Sequence, residues 1–148
     1  MKKLVLIIIS AIMIANTGAN AQNQSTQNYV ISTSGTYFYE SLRYGFAGFL
    51  IAKDTQGHKT VFKKSEVMAY QKDGKLFERK QVSASDKAEF MEMVAYRNGV
   101  KVYRSAAQDQ SSDEISNVYL FNNENFIMGV NQKNLNYVLN FLNDKVAN

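Results

Sequence analysis

The feature that most constrains this chain is a short turn between two half-apolar runs, Ser65-Glu66-Val67-Met68-Ala69-Tyr70-Gln71-Lys72 and Lys75-Leu76-Phe77-Glu78-Arg79, with Asp73-Gly74 between them. Asp-Gly flanked by alternating apolar residues is a strong short-range signal for a β-hairpin. Lys72-Asp73-Gly74 fits a three-residue loop, a type I turn followed by Gly74 in the left-handed conformation that glycine adopts at least cost. That loop predicts Gln71 opposite Lys75, Tyr70 opposite Leu76, Ala69 opposite Phe77 and Met68 opposite Glu78. Because side chains alternate along a strand, Met68, Tyr70 and Leu76 would share one face, and Val67, Ala69 and Phe77 the other. Both faces are partly apolar, so the hairpin is expected inside a sheet.

Two similar turns follow. Arg97-Asn98-Gly99-Val100 lies between Glu89–Arg97 and the β-branched and aromatic run Val100-Lys101-Val102-Tyr103. Asn122-Asn123-Glu124-Asn125 separates Val118-Tyr119-Leu120-Phe121 from Phe126-Ile127-Met128. The tips near Gly74, Gly99 and Glu124 recur at one interval, the rhythm of an antiparallel meander. The segment 89–97 also fits a helix capped by Asp86, with Glu89 completing a capping box, but the Asn-Gly turn after it favours a strand. Upstream, Tyr29-Val30-Ile31 fits a short strand stopped at Ser34-Gly35. Phe46 to Lys53 and Lys59 to Lys63 fit two more, joined by Asp54-Thr55-Gln56-Gly57, with Val61 expected to face inward. Ser83 to Asp86 and Ala106 to Ser116 are polar and are expected to be loops. The chain contains no proline, which leaves every turn to Gly, Asn, Asp and Ser. Near the C-terminus Leu135, Val138, Leu139, Leu142 and Val146 recur at helical spacing and form one apolar face. Asn131 or Asn134 would cap that helix. The fold class expected is mainly β (α+β): an antiparallel meander sheet or small barrel with a C-terminal amphipathic helix.

The first 21 residues read as a secretory signal peptide. Met1-Lys2-Lys3 is a positive start, Leu4 to Ile14 is an apolar run broken only by Ser10, and Ala19-Asn20-Ala21 is a small-x-small cleavage site. The run is shorter than the roughly 20 residues of a membrane-spanning helix, so no transmembrane anchor is expected after processing. Residues 22–35 are polar at first and read as a leader, and 36–148 as a single β-rich domain. Of the formal net charge of +4, Lys2 and Lys3 supply two units. The remaining basic pairs, Lys63-Lys64 and Arg79-Lys80, are not a nucleic-acid patch. With no cysteine in the chain there are no disulfides and no lipid-bearing Cys, and the expected location is the periplasm or the exterior.

Candidate chemistry is sparse. His58 is the single histidine, beside a turn glycine, and no nucleophile-elbow pattern accompanies it. Without Cys or a second His, a zinc site of the usual kind has no ligands, and no cofactor is implied. Glu89 and Glu92 point to opposite faces if their segment is a strand. Asp109, Asp113 and Glu114 form an acidic stretch without EF-hand spacing. Gly45-Phe46-Ala47-Gly48 lacks the Gly-Lys-Ser/Thr ending of a phosphate loop. The densest feature is aromatic: Tyr37, Phe38, Tyr39, Tyr44, Phe46 and Phe49. Tyr joins an apolar body to a polar tip, so Tyr37, Tyr39, Tyr44 and Phe46 are the candidate binding residues, suited to a protein, a glycan or a hydrophobic ligand.

Ser65-Glu66-Val67-Met68-Ala69-Tyr70, then Asp73-Gly74, then Phe77 and Arg79, resembles a motif of small exported Bacteroidetes proteins of unknown function. Met68-Ala69 stand where those proteins often carry Trp-Gly. Val118 to Phe121 and Lys133-Asn134-Leu135 are similar to their closing strand and helix start. The resemblance implies export and brings no activity or site residues. Three function classes follow: an exported binding module for a protein or envelope component, a small barrel carrying a hydrophobic ligand, and a hydrolase-like enzyme.

Overall fold

The structure, a computed structural model, describes residues 27–45, 48–97, 99–105 and 118–144. It is mainly β, with 11 strands paired antiparallel and, among the described residues, one α-helix. These residues fall into two compact units, one up to Arg79 and one from Lys80 on. The expected signal peptide, Phe46, Asn98, the stretch 106–116 expected to be a loop with its acidic residues, and Val146 lie outside the described residues.

The first unit contains two small sheets. One runs in the order β2 (Gly35–Tyr39), β1 (Asn28–Ser32), β6 (Val67–Lys72), β7 (Lys75–Lys80, whose last residue opens the second unit). The other is β3 (Ser41–Tyr44), β4 (Phe49–Lys53), β5 (Lys59–Lys63). A 3-10 turn, Lys64–Glu66, leads from β5 into β6. β1 arises inside the polar stretch 22–35. Its Val30 is fully buried and pairs with Tyr37 on one side and Tyr70 on the other.

Two sequence expectations change here. The β6–β7 hairpin is one residue tighter than a three-residue loop requires: Lys72 pairs with Lys75, Gln71 with Leu76, Tyr70 with Phe77 and Ala69 with Glu78. Asp73 and Gly74 both hold positive φ, 52° and 77°, which is the type I′ turn whose twist matches that of the strands. Asn28 Oδ1 accepts a hydrogen bond from the Asp73 amide at 2.9 Å and ties the turn to β1. In β5, Val61 is 57% exposed and Phe62 is the buried residue. Register decides this, because Phe62 lies opposite the buried Leu50. Alternation then turns Val61 to the other side.

The second unit is a meander: β8 (Glu89–Arg97), β9 (Val100–Ser105), β10 (Val118–Asn122), β11 (Asn125–Val130), followed by α1 (Leu135–Asp144). Segment 89–97 is strand, and its last residue, Arg97, pairs with Val100 of β9. One face buries Val102, Leu120 and Val130 with Val138 and Leu142 of α1. Sequestering those two helix side chains contributes roughly 1.5–3 kcal/mol each. The two cap candidates bond the turn ahead of α1 and not its first amides: Asn131 Oδ1 accepts from the Lys133 and Asn134 amides, Asn134 Oδ1 accepts from the Asn131 amide, and Asn134 meets the helix through its backbone carbonyl, which accepts from the Val138 amide at 2.9 Å. The opposite face holds Met91, Tyr103 and Phe121. There the buried Lys80 ammonium lies 2.6 Å from Glu124 and 5.2 Å from the centre of the Tyr103 ring. Among the described residues β2 and β11 each pair on one side only, and the strands do not close into the barrel that was one of the two architectures expected.

Candidate functional site

The aromatic segment is cut into strands by its own turns. Gly35 starts β2 at positive φ, and Glu40 breaks β2 from β3, its amide donating to the Lys53 carbonyl at 2.9 Å. Alternation along β2 then sorts the rings. Tyr37 and Tyr39 face the β3-β4-β5 sheet, with ring centres 6.2 and 5.9 Å from Phe62. Phe38 points to the other side, edge-on to Tyr29 at 6.1 Å. Tyr37 is 40% exposed and Phe38 58% exposed, while Tyr39 is half-buried. The Tyr37 hydroxyl donates to Ser34 Oγ at 3.2 Å.

Tyr44, at the end of β3, is 47% exposed and leans toward the first sheet. Its ring lies 6.2 Å from Tyr70, which stacks on its cross-strand neighbour Phe77 at 4.8 Å. Burial pushes the Tyr44 hydroxyl pKa up. Burial first, and Tyr44 second, push that of Tyr70 far above the ordinary phenol range. Burial and then Glu78 raise Tyr29. All three hydroxyls are therefore neutral at physiological pH. Of the four candidate binding residues, the structure brings Tyr37 and Tyr39 together around Phe62 and sends Tyr44 to Tyr70. Phe46 is outside the described residues.

The catalytic candidates are dispersed. The His58 side chain is 74% exposed, with Nδ1 3.1 Å from Asp54 Oδ2. Asp54 Oδ1 accepts from the Gln56 and His58 amides, so the pair closes the β4–β5 turn. Burial opposes ionisation of Asp54, but bonds from the His58 amide and ring and the Gln56 amide outweigh it, and the carboxyl lies below its usual range. Glu92 is ion-paired with Arg104 on the neighbouring strand. Among the described residues no three His, Cys, Asp or Glu side chains cluster closely enough to hold a metal, and no helix is long and apolar enough to cross a membrane.

No protein-family model, curated protein or solved structure matches the chain. Its own surface therefore carries the functional argument. The feature the sequence reading missed is the outer face of β3-β4-β5, where Arg43, Lys53, Lys59 and Lys63 are all exposed. The signal was present in the two-residue spacings Phe49-x-Ile51-x-Lys53 and Lys59-x-Val61-x-Lys63. Assigning Val61 to the core hid it.

Proposed function

We propose that this chain is an exported, non-enzymatic binding module that takes an extended segment of an envelope or secreted protein along β2. The observation that carries this reading is the character of that strand. Among the described residues β2 pairs on one side only; it bears no charged residue and exposes Tyr37 and Phe38 on its two faces. Natural edge strands are commonly guarded by Lys, Pro or a bulge, and Gly35–Tyr39 has neither Lys nor Pro. An added strand would gain backbone hydrogen bonds along the edge. Its alternate side chains would meet Phe38 on one face and Tyr37 with Tyr39 on the other, the usual division between affinity and specificity in strand addition. Location outside the cytoplasm is supported by the basic start, apolar run and Ala19-Asn20-Ala21 site, and by the resemblance to small exported Bacteroidetes proteins.

The test is photo-crosslinking in cells, with p-benzoylphenylalanine at position 36 or 38 and, as a control, at the exposed Tyr96 of β8. The expected result is one discrete partner band from positions 36 and 38, mapping to partner residues in a single extended segment, and lost when Phe38→Lys is combined with the probe at 36. Equal labelling from position 96, or cross-links scattered over unrelated partners, would overturn the reading.

A further inference from the structure

We propose that the outer face of the β3-β4-β5 sheet docks on an anionic lipid bilayer. The face is assembled by register. Arg43, Ile51 and Val61 form one cross-strand row, Ser41, Lys53 and Lys59 a second, and Phe49 stands opposite Lys63 in a third. The result is an apolar strip, Phe49, Ile51 and Val61, bracketed by four cations. Phe49 and Val61 are exposed, and Ile51 lies half-buried across Gly45, where a Cβ would come within 2.9 Å of its Cδ1.

Three observations point to a partner that is both anionic and apolar. Lys53 and Lys59 are direct cross-strand partners, and like charges placed so repel and weaken a sheet. Among the described residues none of Arg43, Lys53, Lys59 and Lys63 has a carboxylate partner for its side chain. Two of the nearby acids are engaged elsewhere: Asp54 with His58, and Glu66 with the Lys63 amide at 3.3 Å. An exposed Val61 and Phe49 beside the half-buried Ile51 have no role in binding a purely polar polyanion, whereas a lipid surface uses both parts. Lys and Arg stems lie along apolar surface and carry their charges outward. That places the cations at phosphate level while Phe49, Ile51 and Val61 meet the acyl boundary. This surface lies on β3-β4-β5, not on the β2 edge, and the inference stands without the strand-addition reading.

The experiment is vesicle co-sedimentation of residues 22–148, which contain every described element and exclude the apolar run 4–14; far-UV circular dichroism verifies the β fold of each variant. Binding to phosphatidylglycerol–phosphatidylcholine vesicles is expected, falling steeply with salt, with none to phosphatidylcholine alone. Each cation removed should weaken binding about fivefold, so Lys59→Gln with Lys63→Gln should weaken it about 25-fold. Val61→Ser, at an exposed position, should weaken vesicle binding and leave retention on heparin unchanged. Vesicle binding that ignores the paired lysine change, or Val61→Ser without effect on vesicles, would overturn the proposal. The second result would make the face a site for an anionic polymer.

Discussion

Tyr70 couples the strands of the first unit through one side chain. It pairs with Val30 of β1 and Phe77 of β7, stacks on the latter, and receives the Tyr44 ring from the second sheet. A phenol so buried resists ionisation, so its pKa in the folded chain lies above the unfolded value near 10. The sign of the pH effect follows: between those two values the unfolded chain has lost a proton the folded chain keeps, and stability falls as pH rises. The contribution is complete below pH 10 and declines above it. Tyr70→Phe removes that titration. The urea midpoints of the parent and Tyr70→Phe should therefore converge as pH is raised from 8 to 11, with the parent the more stable at pH 8. A gap independent of pH would show that the hydroxyl is solvated in the folded protein.

At the scale of elements, the β6–β7 turn offers a test of register. In a three-residue loop only Gly74 needs positive φ, whereas the observed type I′ turn needs it at Asp73 as well. Nothing lies within 4 Å of a Cβ at Gly74, so a substitution there meets backbone strain alone. Asp73→Val and Gly74→Val should each cost about 1–2 kcal/mol in urea unfolding. Sensitivity at Gly74 alone would restore the longer loop. The three hairpins were legible because turn chemistry is local, and so was α1, from the spacing of Leu135, Val138 and Leu142. The register of β6–β7 was not, because Asp-Gly serves both loops. The inward turn of Phe62 was also hidden: two adjacent apolar residues compete, and Leu50 on another strand decides between them. The candidate site was legible in the same partial way. Its tyrosines were visible as a cluster, but which side of β2 each ring takes depends on packing against Phe62, far away in sequence.

For the whole molecule, nearly balanced charge conceals a strongly uneven surface. Half of the formal net charge of +4 sits on Lys2 and Lys3, while four exposed cations share one three-stranded face and β2 carries no charge. An uncharged edge and a basic-apolar face are hazards in a crowded cytosol, where strands add to edges and polyanions bind basic patches. Both are useful at an envelope, which gives the proposed export a physical rationale beyond the sequence pattern of residues 1–21. The prediction is specific: the chain recovered from the periplasm or medium should begin at Gln22. Ile8→Arg, which interrupts the apolar run, should leave unprocessed chain in the cytosol. Recovery of the intact N-terminus with the membrane fraction would instead make residues 4–14 an anchor, and the basic face would then be held at a bilayer by a tether as well as by its own charges.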